Sequence, residues 1–291
     1  MNNRQLINDA ASFRERDLAL LDGLYEHRFL TRRHLQALYF TDYPELQSGL
    51  PVATSSPRPA QRRLRRLHQA RLVLRRSLAL PDGRRDPEPY YCLSPDGAQL
   101  VALRHSLAAR ETRQRAADLL ANPLFVRHAL AGADLHCALT RAARSQPGHV
   151  CPPQWWRGEQ TASQQFTDRG QPLLLRPDGY TRYQAGENIH HLLVEIDLGT
   201  MSLPRLRTKL DRYRAYSRSA AWQTRYPVFP KLLLLTTSTQ RIVSLHQQLE
   251  PLPELVLLSA THADLREHGP LAAIWHQPGR SQPRPLLEAP R

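Results

Sequence analysis

Apolar residues recur at helical spacing through the first part of the chain, and two β-prone runs follow them. The apolar positions of three predicted helices are, in chain order, Leu18, Leu21 and Tyr25; Leu35 and Leu38; and Ala60, Leu64 and Leu67. Thr31 stands where an N-cap would open the second helix, and Ser94 where one would open a fourth. The runs 72–80 and 90–93 predict a hairpin with its turn at 81–85. This order of three helices and a hairpin is typical of a winged helix-turn-helix.

The second half of the chain alternates helical and strand patterns, as an α/β domain does. The predicted elements are a helix over 126–144, a strand over 173–176 resumed at 180–183, a strand over 189–196, a helix over 202–218, a strand over 231–236, a helix over 239–249 and a strand over 255–258. The whole chain is therefore expected to be α+β. Its predicted parts are a winged-helix domain (1–109), a helical connector (110–125), an α/β domain (126–262) and a mobile, proline-rich tail (263–291).

The charge balance favours a nucleic acid as the partner. The chain has 40 basic and 26 acidic residues, which give a formal net charge of +14. Between Arg58 and Arg85 there are ten arginines and a single acid, Asp82. Such a cluster releases counterions from a phosphate backbone, and this release is the sequence-independent part of DNA affinity. A membrane surface fits less well, because no bulky apolar anchors accompany the arginines. We therefore expect double-stranded DNA as the partner, and no membrane.

The third predicted helix carries its cations on the face opposite its apolar residues. In a winged helix the third helix enters the major groove, and the wing lies near the flanking phosphates. The predicted groove contacts are Arg58, Arg62, Arg65, Arg66 and Gln69, and the predicted wing contacts are Arg75, Arg76, Arg84 and Arg85. The alternative is an arginine-rich helix that is merely solvated. Because the exposed face lacks the alternating charges of a self-paired surface helix, the pattern favours DNA contact.

Three carboxylates, Asp178, Glu195 and Asp197, lie within twenty residues of each other. Glu195 and Asp197 end a nearly continuous apolar run, and period-two spacing puts them on one strand face. Carboxylates at the end of a buried strand are costly unless they are paired, hydrogen-bonded or bound to a cation. The three acids are therefore predicted to meet at one edge of a sheet, where hard oxygen ligands would suit Mg²⁺.

The C-terminal pattern resembles the PD-(D/E)XK nuclease fold, that is, a restriction-endonuclease-like α/β domain. Pro177 and Asp178 match the first half of its motif and Glu195 matches the acid, but Asp197 stands where the motif has lysine. The resemblance implies that a lysine from the next helix can replace the missing one, and Lys209 stands there. Only Lys209 and Lys231 are lysines in this arginine-rich chain. The alternative is that Lys209 is an ordinary solvated residue.

Together, the N-terminal unit and the segments RPDGY (176–180), EIDLGT (195–200) and KLDRY (209–213) resemble the replication-relaxation family of plasmids and integrative mobile elements. The resemblance implies a DNA-binding accessory protein of mobile-element replication or transfer with a nuclease-like C-terminal domain. Two classes of function stay open. In the favoured one, the second domain is a catalytically silent scaffold that docks a relaxase or a replication initiator.

In the other class the protein is a Mg²⁺-dependent DNA endonuclease. Asp178 and Glu195 would then bind the metal with help from Asp197, and Lys209 would orient or activate water. A transcriptional regulator of a mobile element is a third, less favoured class. Glu159 and Asp134 are weaker candidates for further acids at the site. Three widely spaced cysteines and the lack of a signal peptide predict an intracellular, cytoplasmic protein without disulfides.

Overall fold

The structure is a computed structural model that describes residues 13–40, 58–78, 84–107, 122–249 and 254–287. The chain forms two compact units, Met1–Cys137 and Ala138–Arg291. Helices and strands occur in both, so the expectation of a mixed α+β protein is confirmed. Most of the predicted connector and the turn at 81–83 lie outside the described residues. Within the described ranges, no helix has both the length and the apolar character needed to cross a membrane.

The first unit contains helices and a small antiparallel sheet. Its elements are α1 (Glu15–His27), β1 (Leu30–Thr31), α2 (Arg32–Tyr39), α3 (Arg58–Gln69), β2 (Val73–Arg76), β3 (Tyr90–Leu93), α4 (Pro95–Arg104) and the first part of α5 (Pro123–Arg144). The sheet has the order β1-β3-β2. The four helices and the β2–β3 hairpin occur in the order that the sequence predicts, and the short strand β1, which was not predicted, adds a third strand to the sheet.

The caps and the apolar stripes account for these helices. The Thr31 side chain accepts a hydrogen bond from the backbone N–H of His34 at 3.3 Å, and Ser94 accepts one from Gly97 at 3.0 Å. All three predicted core positions of helix α3 are buried, and they pack against residues of helices α1, α2 and α4: Ala60, Leu64 and Leu67. The cores of this unit also include Val126 and Ala133 from helix α5. By its contacts, the beginning of helix α5 therefore belongs to the first unit.

The second unit is built on a larger mixed sheet. Its strands are β4 (His149–Val150), β5 (Arg157–Gly158), β6 (Gln164–Asp168), β7 (Gln171–Leu175), β8 (Gly179–Ala185), β9 (Asn188–Ile196), β10 (Lys231–Thr236) and β11 (Leu257–Thr261). Its helices after α5 are α6 (Glu159–Ala162), α7 (Leu203–Arg218), α8 (Thr239–His246) and α9 (His262–His268). The sheet order is β11-β10-β9-β8-β4, strand β5 pairs with β8, and β6 and β7 form a separate hairpin.

Strand β9 lies at the centre of this sheet. It runs parallel to β10 and antiparallel to β8, and its residues 191–196 are buried. Leu193 lies opposite Tyr180 and Leu232, and it packs in one cluster with residues of helices α7 and α8. Because side chains alternate along a strand, Glu195 lies on this same helix-covered face. The fold thus brings a charged residue at the end of a buried strand against helix α7.

The structure differs from the sequence predictions at two places in this unit. Residues 171–175 do not continue into strand β8; they pair with β6, whose hairpin was not predicted. The segment from Gly269 to Leu287, expected to be mobile, is held on the sheet. His276 exchanges backbone hydrogen bonds with Ser259 of β11, and Trp275 and Leu286 are fully buried. Its apolar residues, widely spaced among prolines, lack the periodicity that would have marked them as core.

Candidate functional site

Asp178 precedes strand β8 and is held against the end of strand β9 by two hydrogen bonds, one from its backbone and one to its side chain. Its N–H donates to the carbonyl of Val194 at 2.9 Å, and its Oδ2 accepts from the N–H of Ile196 at 2.7 Å. These two bonds span Glu195, whose side chain is only 2% exposed. The sequence predicts that Asp178 and Glu195 lie close together, and they do so in the structure.

Lys209 of helix α7 lies between these two carboxylates. Its ammonium donates to Asp178 Oδ1 at 3.2 Å and forms an ion pair with Glu195 Oε2. Tyr213, one helical turn further on, donates its hydroxyl hydrogen bond to Glu195 Oε1. Residues four apart share a helix face, so a single face of α7 supplies both donors. We call Asp178, Glu195, Lys209 and Tyr213 the acid–lysine cluster.

Burial and charge set the protonation of this cluster. Burial, reinforced by the neighbouring Asp178, raises the pKa of Glu195 well above its ordinary value, and Lys209 and Tyr213 oppose that rise. Burial alone would lower the pKa of Lys209, but Glu195 and Asp178 outweigh it and raise this pKa above its usual range. Burial and the adjacent Glu195 also raise the pKa of Tyr213. The lysine is therefore a permanent cation between the two acids.

Asp197 does not join the acid–lysine cluster. Its carboxylate forms an ion pair with the guanidinium of Arg241 from helix α8, with one Nη2–Oδ1 bond of 3.0 Å. It also accepts from the Thr236 hydroxyl at 2.7 Å and from the Gly199 N–H at 3.0 Å. Asp197 directly follows the last residue of strand β9, and Arg241, which sequence reasoning missed, binds it apart from the cluster.

The donor set of the acid–lysine cluster does not fit a divalent metal ion. Each carboxylate oxygen of Asp178 and Glu195 already accepts from a named donor: Lys209, Tyr213 or the Ile196 N–H. The ammonium stands between the carboxylates, where a bridging cation would have to lie. Among the residues that the structure describes, no three His, Cys, Asp or Glu side chains lie close enough together to hold a metal ion. The expected gathering of Asp178, Glu195 and Asp197 into one ligand set is therefore not found.

Gly179 is required beside this cluster because a neighbouring side chain lies close to its backbone. It begins strand β8, and a Cβ atom added there would collide with the ring of Trp156. The indole ring is 2% exposed and packs directly on the glycine. The close approach of Trp156 thus explains the glycine that follows Asp178, and no left-handed backbone is involved.

Two weaker candidates have other surroundings. Asp134 lies in the first unit, where its Oδ1 is 2.8 Å from Nε2 of His34. Glu159 begins the short helix α6.

The residues of helix α3 that are predicted to contact the groove differ in their surroundings. Arg62, Arg65 and Gln69 are exposed and have no ion-pair or hydrogen-bond partner within the described part of the chain. Arg58 is exposed at the start of the helix. Arg66, also predicted to contact the groove, is 44% exposed; its guanidinium is 3.9 Å from Asp17 and lies over the Phe13 ring.

Arg63, which sequence reasoning did not single out, has a structural role. Its Nη1 donates to the fully buried Asp17 of helix α1 at 2.7 Å. This buried ion pair ties helix α3 to α1. The predicted wing residues are all exposed: Arg75 and Arg76 end strand β2, and Arg84 and Arg85 follow the segment outside the described residues.

A comparison with protein-family models finds one match. The model described as replication-relaxation matches residues 21–232, well over half of the chain. No curated protein and no solved structure matches the chain significantly. The matched range covers helices α2 to α7 and includes the whole acid–lysine cluster.

Proposed function

This chain belongs to the replication-relaxation family, and on that premise we propose that it is a DNA-binding accessory protein of plasmid or mobile-element replication or transfer. We propose further that its first unit is a winged helix that binds double-stranded DNA through helix α3. The second unit, in this proposal, is a restriction-endonuclease-like scaffold of the PD-(D/E)XK type that does not cleave DNA.

One observation carries the DNA-binding proposal. Helix α3 contains no acid, and its exposed side presents Arg62, Arg65 and Gln69 without a protein partner in the described part of the chain. An exposed helix whose cations served only its own stability would carry acids at i, i+4 spacing. The order of the elements supports this proposal. Three helices are followed by strands β2 and β3, and in a winged helix of that order the third helix enters the major groove.

The DNA-binding proposal is tested by duplex affinity as a function of salt concentration. Arg62→Ala with Arg65→Ala should weaken binding and reduce the log–log salt slope by about 0.9 for each phosphate that the variant no longer binds. Arg127→Ala, which removes an exposed arginine of helix α5, is the matched control and should change the slope little. A folded double variant with the affinity and slope of the native chain would refute the proposed role of helix α3.

The acid–lysine cluster supports the non-cleaving reading of the second unit. Asp178 directly precedes strand β8 and Glu195 lies on the adjacent strand β9, but Lys209 binds both acids, and Arg241 binds Asp197. The Lys209 ammonium neutralises both carboxylates and occupies the space between them, which a metal ion bound by both acids would need. We therefore favour a scaffold over the alternative, a Mg²⁺-dependent endonuclease.

Supercoiled plasmid incubated with the full chain separates these two alternatives. We expect no nicking or linearisation with Mg²⁺ or with Mn²⁺. Metal-dependent cleavage that disappears in Asp178→Asn would instead establish the endonuclease reading. The Asp178→Asn variant must be compared with Asp211→Asn, which changes an exposed acid of helix α7.

A scaffold implies a protein partner, and we propose a relaxase or a replication initiator of the same mobile element. Size-exclusion chromatography of the full chain with each purified candidate, with and without duplex DNA, tests this. A shared peak with either protein supports docking. If neither protein co-elutes, and a promoter of the element responds to the chain in a reporter assay, the transcriptional-regulator alternative is favoured.

A further inference from the structure

A cavity of about 290 Å³ opens beside the end of strand β2. Three separate parts of the first unit line it: the last turn of helix α3, the end of β2, and the chain that returns toward β3. The lining residues are His68, Arg75, Arg76, Ser77 and Arg85. We call this cavity the wing pocket.

The wing pocket concentrates positive charge without an internal counter-charge. Three of its five lining residues are arginines, and no acid lines it. Arg75, Arg76 and Arg85 have no ion-pair partner in the part of the chain that the structure describes. Like charges gathered around a cavity repel each other, and the repulsion is relieved when an anion enters. The arrangement therefore indicates an anion as ligand.

Of the other two lining residues, Ser77 supplies a polar group suited to an oxyanion, and the His68 ring forms part of the wall. Ser77 contributes a hydroxyl that can donate a hydrogen bond. The Nδ1 atom of His68 lies 2.9 Å from the carbonyl oxygen of Val73, which can only accept, so Nδ1 carries a proton. This bond fixes the orientation of the imidazole ring at the end of helix α3. Planar guanidinium groups bind phosphate through paired N–H donors, which favours phosphate over a simple halide.

We propose that the wing pocket binds a single phosphate group of a nucleic acid. This inference rests on the proposed DNA binding. It adds a single site at which several side chains bind the same phosphate. The volume of about 290 Å³ leaves room for a phosphate group. A phosphate held in this way fixes the register of the duplex on the protein.

A duplex contains two kinds of phosphate that match this pocket: an internal phosphodiester and a terminal 5′-phosphate. Both present oxyanion oxygens to the same donors. The two differ in charge and in whether the sugar–phosphate chain continues beyond the pocket. They can be told apart by comparing a short duplex that carries a 5′-phosphate with the same duplex ending in a 5′-hydroxyl.

The number of phosphates that the pocket binds is tested by the salt dependence of duplex affinity. Arg75→Ala, Arg85→Ala and the double variant of the full chain are compared with Arg127→Ala. If both arginines hold one phosphate, each single change weakens binding roughly tenfold, and the double variant lowers the log–log slope by about 0.9 in total. If they bind separate phosphates, the slope falls by about 1.8, and the single-phosphate pocket is overturned.

A second experiment tests anion binding by the wing pocket in the absence of DNA. Thermal melts of the full chain in sodium phosphate and in sodium chloride of equal ionic strength should show an extra stabilisation by phosphate that Arg85→Ala reduces and Arg127→Ala keeps. An equal phosphate effect in all three proteins overturns the pocket. If the native chain gains from phosphate but binds no duplex, the DNA-binding proposal fails and the anion pocket stands.

The 5′-phosphate comparison completes the test. A gain in affinity from the 5′-phosphate that Arg85→Ala abolishes assigns the pocket to a terminal phosphate. Equal affinity of the native chain for the two duplexes, with weaker binding of both by Arg85→Ala, assigns it to an internal phosphodiester. Native affinity for both duplexes in the Arg75→Ala and Arg85→Ala variants contradicts the inference.

Discussion

Replacing Lys209 with methionine tests the central feature of the second unit. Lys209→Met keeps the length and the apolar stem of the side chain and removes the ammonium that pairs with Asp178 and Glu195. Glu195 is 2% exposed, so water cannot replace the missing partner. Removing one member of a buried ion pair costs about 3–5 kcal/mol, because the remaining carboxylate must either stay buried without its partner or take up a proton on folding. We expect a loss of that size in the free energy of unfolding at pH 7.

The pH dependence of this loss identifies its cause. Without Lys209, the pKa of Glu195 rises further above its ordinary value of 4.5, because burial and Asp178 are no longer opposed by the ammonium. Between the folded-state pKa of Glu195 in the native chain and its higher value in the variant, the native protein ionises this group while the folded variant keeps it protonated. The variant is therefore destabilised as the pH rises through that window, and each unit of acidification returns up to about 1.4 kcal/mol.

Urea unfolding followed by tryptophan fluorescence measures the free energy of unfolding of the second unit. All four tryptophans, Trp155, Trp156, Trp222 and Trp275, lie in the second unit. The matched control is Arg212→Met, which removes an exposed cation from the same helix and should cost no more than about 0.5 kcal/mol. Glu195→Gln added to Lys209→Met should recover part of the loss at pH 7, since it removes the buried charge. A loss below about 1 kcal/mol, or one that is the same from pH 5 to pH 8, would refute the ion-pair account.

Three further predictions concern the folding of the two units. A fragment 1–109 should melt at a lower temperature than a fragment 1–137, because helix α5 contributes to the cores of the first unit; equal circular-dichroism melts would contradict this. Burial lowers the pKa of His27 well below 6.5, so stability from this group is complete above pH 6.5 and falls by up to about 1.4 kcal/mol per unit below it, a slope that His27→Gln should reduce in melts of fragment 1–137. Gly179→Ala should cost about 1–3 kcal/mol through its collision with Trp156, and Trp156→Leu should relieve part of that cost; additive losses in the double variant would argue against the contact.

Local signals in the sequence determined many of the elements and their buried faces. The Thr31 and Ser94 caps open helices where the sequence predicts them, and the apolar stripe of helix α3 is the buried one. Strands β9 and β10 follow from nearly continuous apolar runs. These features depend on neighbours within one or two turns or a few strand residues, so the spacing of residues along the chain contains the information.

Some elements were missed because their local signal is weak. Strand β6 has Phe166 as its one apolar residue among glutamine, threonine and aspartate, and it is held by pairing with β7 and by packing Phe166 against residues of helix α7. The segment after Gly269 has the same character, and its burial depends on the sheet edge beside strand β11. In both cases a long-range contact outweighs a composition that is typical of loops.

The partners of the charged residues were decided by the tertiary structure alone. Spacing alone put Glu195 and Asp197 on one strand face and Lys209 one turn from Tyr213. It could not tell that Lys209 pairs with Asp178 and Glu195 while Arg241 takes Asp197, because each cation comes from a different helix that packs on the sheet. The wing pocket likewise joins the end of helix α3 to two strand segments. Ion pairs and cavities depend on distances between elements, and only the packed fold determines those distances.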